Sequence, residues 1–261
     1  ALIKFKLPAI GEIPKGDEDQ RAVVATKNAR THIAEAFRMV RSNMNFLLDQ
    51  QHGDKSKTIM FTSSIAGEGK TFISINMGHT LSHSNKKVVI MGLDLRAPKI
   101  GRYLDITASA GVSNFIVNES LTFDEILIQD PGNPNMHYIL SGDIPPNPSE
   151  LLLRERMATL MEEAQRRFDY VILDTAPVAL VADSLHLSKF ADLTIYVARA
   201  ELLDRRLLSI PAGLYHDKKI PNLAVLVNAT DIMGKGYGYG YGYGSGYGYG
   251  YGYGYGYGYG Y

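Results

Sequence analysis

The sequence predicts an α/β domain, a mostly parallel sheet flanked by helices, followed by a disordered carboxyl-terminal tail. Three observations carry that expectation. Short continuous apolar runs such as Val88-Val89-Ile90-Met91 recur along the chain, as expected of strands covered on both faces. Longer segments with apolar residues three to four apart alternate with them, the order of a parallel sheet with crossover helices. From Tyr237 to Tyr261 the chain is almost entirely alternating tyrosine and glycine, which offers no apolar face at a helical period and makes ordering the backbone costly.

Residues 1–28, punctuated by Pro8, Gly11, Pro14 and Gly16, read as an extended approach. Ile33, Phe37, Val40, Met44 and Leu47 then recur at helical spacing and predict an amphipathic helix over Arg30–Leu48. Strands are expected at Thr58–Thr62, Lys87–Leu93, His137–Leu140, Tyr170–Asp174, Thr194–Ala198 and Leu223–Asn228. Helices are expected at Lys70–Ser84, Ser149–Arg167 and Arg205–Tyr215. Three regions result: an approach (1–28), a folded domain (29–236) and the tyrosine tail (237–261).

Composition narrows the function. Lysine plus arginine and aspartate plus glutamate balance at 27 each, so no overall field favours nucleic acid, and no nucleic-acid partner is expected. Cysteine is absent, which excludes disulfides and thiolate metal sites and fits a reducing compartment. No run reaches the ~20 apolar residues that span a bilayer. The seven histidines show no metal-ligand spacing, and His79 and His83 read as packed or surface residues. The chain opens at Ala1 rather than methionine and is expected to be a soluble piece of a longer protein.

The chemistry is concentrated where Ser64-Ile65-Ala66-Gly67-Glu68-Gly69-Lys70-Thr71 follows a strand and opens a helix. The P-loop pattern is G-x-x-x-x-G-K-[ST], and only its first glycine is replaced, by Ser64. Backbone N–H groups at a helix N-terminus converge on phosphate oxygens, so Ser64, Ala66, Gly67, Glu68, Gly69, Lys70, Thr71 and Phe72 are candidate nucleotide-binding residues. Lys70 would reach the β/γ-phosphates and the Thr71 hydroxyl would bind Mg²⁺. Tyr170-Val171-Ile172-Leu173-Asp174 is an apolar strand ending in a carboxylate, suited to holding Mg²⁺. Asp94 ends another strand, and adjacent parallel strands bring their carboxyl ends together. Asp94 is therefore the candidate proton acceptor or second metal-binding carboxylate. Arg96 is open to two readings, charge support for phosphates or a surface or ion-pair role. Asn228 is likewise either an adenine contact or a turn residue.

Together these residues resemble the cytoplasmic kinase domain of the bacterial tyrosine kinases linked to capsule and exopolysaccharide export, relatives of the MinD/ParA-type P-loop ATPases with a deviant Walker A motif. The resemblance rests on the loop at 63–71, on Leu93-Asp94-Leu95-Arg96 as the Walker A′ motif and on Ile172-Leu173-Asp174-Thr175 as Walker B. Gly142 with Pro145-Pro146-Asn147-Pro148-Ser149-Glu150, and Glu35-x-x-Arg38-x-x-Arg41-x-Asn43 on the first helix, add to it. It implies an ATP- and Mg²⁺-dependent protein-tyrosine kinase with Lys70, Asp94 and Asp174 as catalytic residues and Thr71, Asp94 and Asp174 around the metal. Glu35, Arg38, Arg41 and Asn43 are implied oligomerisation residues of a homo-oligomeric ring, with an octamer among the expected sizes. The implied acceptors are Tyr237, Tyr239, Tyr241, Tyr243, Tyr247, Tyr249, Tyr251, Tyr253, Tyr255, Tyr257, Tyr259 and Tyr261, phosphorylated mainly in trans. The resemblance also implies a membrane-proximal role for residues 1–28, a transmembrane chain-length regulator, fused or separate, and a tyrosine phosphatase as partners. The implied location is the cytoplasmic face of the bacterial inner membrane.

One position departs from the family pattern: the A′ motif usually reads D-x-D-x-R, and Gly92 stands at its first aspartate. A 25-residue glycine-rich coil spans about 25–30 Å, so a neighbouring subunit's site is within reach. Two alternatives remain open from sequence. A positioning-type ATPase would carry a lysine at Ile65 and no tyrosine tail. A nucleotide-stabilised scaffold would use the tail for self-association, with Gly92 marking weak catalysis.

Overall fold

The computed structural model describes residues 2–16, 23–52, 55–178, 183–220 and 222–231. The expected disordered tail and all twelve candidate acceptor tyrosines lie outside the described residues. In chain order the elements are α1 (Leu2–Phe5), β1 (Ala9–Pro14), α2 (His32–His52), β2 (Lys57–Ser63), α3 (Lys70–Ser82), β3 (Val88–Gly92), α4 (Ile100–Leu104), α5 (Val112–Val117) and α6 (Phe123–Ile126). They continue with β4 (Ile128–Asp130), β5 (Asn133–Ile139), α7 (Pro148–Leu152), α8 (Glu155–Arg167), β6 (Tyr170–Asp174), α9 (Asp183–Leu187), β7 (Leu193–Arg199), α10 (Ser209–His216) and β8 (Leu223–Thr230).

The eight strands form one sheet in the order β1-β8-β7-β2-β6-β3-β5-β4. Every pairing is parallel except β4 with β5, so the mostly parallel sheet read from sequence is the one observed. β2, β3 and β6 are buried throughout, which is why they read as continuous apolar runs. Their side chains alternate between two cores. Ile59, Phe61, Val88 and Ile90 join Phe37, Val40, Ile73 and Met77 on the α2/α3 face. Met60, Val89 and Met91 join Phe115, Leu160 and Ala212 on the other face.

Several elements differ from the sequence expectation. The extended approach contains β1, which pairs with β8 and so adds a sheet-edge strand. The segment 149–167 is two helices rather than one, because Arg154 takes an extended conformation (φ −64°, ψ 148°) between α7 and α8. The segment 205–215 begins as a 3-10 turn over Arg205–Leu208 before α10. β4 and the short helices α4–α6 carry too few residues for a period to show.

Candidate functional site

β2 stands in the middle of the sheet, and the loop leaving its carboxyl end runs straight into α3. Gly67 and Gly69 hold φ of 88° and 93°, the left-handed region that a Cβ disfavours. At Gly69 space is also short: a Cβ there would lie 2.2 Å from Asn228 Nδ2. Asn228, at the end of β8, donates that Nδ2 to the Glu68 carbonyl at 2.9 Å. Its amide is thus engaged on the loop backbone.

Glu68 is fully buried, and its carboxylate accepts from the backbone N–H of Ile65 at 2.8 Å and of Arg199 at 3.3 Å. Burial raises its pKa, and the backbone donors and nearby Lys70 oppose that shift. Arg199 Nη1 donates to the Gly67 carbonyl at 3.1 Å, and the Ser64 and Tyr196 hydroxyls are 2.9 Å apart. The loop's β7/β8 flank is therefore clamped by Tyr196, Arg199 and Asn228, three contacts that spread across 132 to 160 residues of sequence.

On the other flank the charged groups converge. Lys70 Nζ donates to Ser63 Oγ at 3.0 Å. Burial lowers the Lys70 pKa, while Asp174, Asp94 and Glu68 act in the opposite sense. The Thr71 hydroxyl donates to Asp174 Oδ2 at 2.7 Å. Asp174 is buried, and desolvation raises its pKa to about 6 against the opposing Thr71 hydrogen bond and Lys70 charge. Its second oxygen, Oδ1, is buried with no hydrogen-bond partner among the described residues. A carboxylate oxygen left open beside a threonine hydroxyl is a hard-oxygen donor set that fits Mg²⁺. Among the described residues no group of three or more metal-binding side chains converges. Mg²⁺ held by one or two protein oxygens and substrate phosphates needs none.

Asp94 joins this centre as adjacent strands dictate. Gly92 is in register with Asp174, and the Leu93 and Asp94 N–H groups donate to the Asp174 carbonyl at 2.8 and 3.1 Å. Asp94 Oδ1 accepts from the Ala97 N–H at 3.1 Å, which closes the turn after the strand. Gly92, where the family pattern has an aspartate, is closely covered. Ser141 Oγ donates to its carbonyl at 2.8 Å, and a Cβ on Gly92 would lie 2.7 Å from that oxygen.

Other candidates have a different placement. Arg96 forms an ion pair: its Nε lies 3.2 Å from Asp183 Oδ2 and its Nη2 donates to Ser149 Oγ at 2.8 Å. Phe72, just inside α3, stacks edge-on against Phe37 with centroids 6.1 Å apart. On α2, Arg38 pairs with Glu35 and donates to the Ala29 carbonyl. Arg41 Nη1 reaches the Thr80 carbonyl at 3.0 Å and Ser84 Oγ at 2.5 Å. Asn43 Nδ2 donates to the Ile10 carbonyl of β1 at 2.9 Å. Arg41 and Asn43 are thus engaged within the chain, whereas the Glu35 side chain is 57% exposed. Sequence reasoning did not single out Ser141, Asp183, Tyr196 or Arg199. Each acts through a long-range contact, and no local motif marks it.

A family model described as an AAA domain matches residues 56–201. Tyrosine-protein kinase YwqD of Bacillus subtilis is 32% identical over 184 residues, covering 70% of this chain and 75% of that protein. Tyrosine-protein kinase etk of Escherichia coli is 30% identical over 178 residues, covering 67% of this chain but 24% of that protein. The chain likewise spans 25% of a cps-region tyrosine-kinase relative from Klebsiella pneumoniae. Among solved structures, the chimerical protein CapA2B2 superposes with a TM-score of 0.78 at 25% identity, covering 88% of this chain and 97% of that one. The kinase domain of E. coli ETK does so with 0.79 at 24% identity, covering 92% and 97%. With its fold, its P-loop and the convergence of Asp94 and Asp174 all in place, the chain belongs to the bacterial tyrosine-protein kinase family.

Proposed function

We propose that this chain is the catalytic domain of an ATP- and Mg²⁺-dependent protein-tyrosine kinase that phosphorylates its own tyrosine tail. The observation that carries the reading is the Lys70–Thr71–Asp174–Asp94 centre with Asp174 Oδ1 left open. Bound Mg²⁺ would neutralise phosphate charge; Thr71 and Asp174 are the residues that would hold it, with Asp94 facing the same cation. Lys70 orients the β/γ-phosphates from the base of the loop. In the transfer, the bond from the γ-phosphorus to the ADP oxygen breaks and one to the tyrosine oxygen forms. The phenolic proton passes to the Asp94 carboxylate.

Positioning and charge neutralisation dominate phosphoryl transfer, so Gly92 at the first A′ position is compatible with activity. Acceptance in trans within a ring, a role in capsule or exopolysaccharide export, a membrane regulator and a reversing phosphatase complete the proposal. They rest on the resemblance and on kinase names such as CapB of Staphylococcus aureus. Among the described residues no helix is long and apolar enough to cross a membrane. A second reading, a nucleotide-bound scaffold, draws on one observation: the Gly92 position is closed over by Ser141.

Intact-protein mass spectrometry after incubation with Mg²⁺ and ATP, beside Lys70→Met, separates the two. The kinase reading expects a ladder of phosphate additions mapping beyond Tyr237 and absent in Lys70→Met. ATP binding with no added mass would favour the scaffold.

A further inference from the structure

The loops that carry Asp94 and Asp174 are joined by more than their backbone contact. Asp183, at the start of α9, is 2% exposed, and its carboxylate accepts from Arg96 Nε at 3.2 Å and from Ser149 Oγ. Ser149 in turn accepts from Arg96 Nη2 at 2.8 Å, so the three side chains form a closed ring. Arg96 lies inside the turn that Asp94 caps through the Ala97 N–H. Pinning its guanidinium fixes that turn. The next residue, Ser184, is fully buried and points the other way. Its hydroxyl donates to the Ala176 carbonyl at 2.6 Å and lies 3.1 Å from Thr175 Oγ1. Thr175 Oγ1 itself donates to the Phe61 carbonyl of β2 at 2.9 Å.

Adjacent residues of one helix therefore grip both carboxylate loops, Asp183 the Asp94 turn and Ser184 the exit from Asp174. A buried carboxylate is costly unless its partners are complete, which argues for a constraint beyond filling space. Ser149 brings in the Pro145–Pro148 segment, to which the chemistry of the site otherwise gives no task.

We propose that Asp183 is a positioning residue which, through Arg96 and Ser149, sets Asp94 relative to Asp174 and so determines how strongly Mg²⁺ strengthens ATP binding. The inference rests on the Mg²⁺-ATP part of the proposed function and not on which group accepts the phosphate. The side-chain partners of Asp183 are Arg96 and Ser149 rather than residues of the phosphate loop. Its effect reaches the site by holding the A′ turn at one spacing, at which both carboxylates can face a single cation.

The test is binding of a fluorescent ATP analogue to the full chain, with Mg²⁺ and with EDTA, for wild type, Asp183→Asn, Arg96→Ala and the double variant. The expected result is that Asp183→Asn lowers the Mg²⁺-dependent gain in affinity about ten-fold, equivalent to ~1.4 kcal/mol, with affinity in EDTA unchanged. A general packing defect would weaken both affinities. Because Arg96 transmits the effect, the double variant should lose no more than the larger single loss. A wild-type Mg²⁺ gain in Asp183→Asn, or losses that multiply in the double variant, would overturn the proposal. Should Asp183→Asn not fold, Ser149→Ala and Arg96→Lys carry the same test. A reduced Mg²⁺ gain in both supports the brace, and wild-type behaviour in both refutes it. A wild-type chain that gains affinity from Mg²⁺ but labels no tyrosine would defeat the kinase reading and leave this one intact.

Discussion

Thr71 and Asp174, 103 residues apart in sequence, are joined by a 2.7 Å hydrogen bond at the carboxyl edge of the sheet. The bond holds one carboxylate oxygen while the other stays open and desolvated, so the site is built at the expense of stability. Burial lifts the Asp174 pKa from 3.8 to about 6. A carboxylate raised in this way contributes stability that is fully present below about pH 3.8 and lost as pH rises through about 6. Asp174→Asn should therefore abolish tyrosine phosphorylation yet stabilise the metal-free protein at pH 8 by about 2–3 kcal/mol. Urea denaturation at pH 8 and pH 5 checks this, with the smaller gain expected at pH 5.

Gly69 is constrained twice, by its φ of 93° and by Asn228 Nδ2 at 2.2 Å from the position of a Cβ. Gly69→Ala should weaken ATP binding about 100-fold, or ~2.7 kcal/mol. Adding Asn228→Ala removes the clash but not the backbone strain. Calorimetric titration should then show partial recovery, and full recovery would mean that the left-handed conformation is not required.

At Gly92 the constraint is packing alone. Gly92→Ala places a methyl 2.7 Å from Ser141 Oγ and should cost about 1–3 kcal/mol by overpacking. Ser141→Ala in the same chain should return most of it. Denaturation midpoints of the single and double variants decide the matter.

On α2 three of the candidate oligomerisation residues should separate. Arg41→Ala and Asn43→Ala each remove hydrogen bonds made within the subunit and should cost about 1–3 kcal/mol of subunit stability. Glu35→Ala, at an exposed position, should stay within about 0.5 kcal/mol. Light-scattering mass for Glu35→Ala then tests the proposed ring interface without a folding defect, and an unchanged mass would remove Glu35 from that proposal.

His79, on α3, lies 2.9 Å from the Tyr138 hydroxyl, which donates to Asp130 Oδ2 at 2.9 Å. Burial lowers the His79 pKa to about 4, with Asp130 opposing and His83 adding to the shift. The unfolded chain takes up this proton near pH 6.5 and the folded chain only near 4. Stability is thus complete above about pH 6.5 and falls as pH drops toward 4, by up to about 3 kcal/mol. His79→Gln should flatten that slope, measured as the wild-type minus variant difference between pH 7 and pH 5.

The strand cores and the ends of β2 and β6 were legible because burial on both faces leaves an unbroken apolar run and because glycine and carboxylate punctuate its end. The break between α7 and α8 was not, since apolar spacing continues across Leu153 and Arg154 while the backbone turns. β1 was hidden for a different reason. Six residues that include Gly11 and Pro14 carry little strand signal until β8 supplies an edge to pair with.

At the site, local sequence determined the phosphate loop, its lysine and threonine and the strand-end aspartates, because each depends on groups adjacent along the chain. It left open whether Arg96 faces phosphate or a carboxylate and whether Asn228 faces a base or a backbone. Tertiary structure supplied the protein partner of each, pairing Arg96 with Asp183 and Asn228 with the Glu68 carbonyl. The physical reason is that a polar side chain's task is set by which partner burial brings within about 3 Å. For these residues that partner lies 87 and 160 positions away.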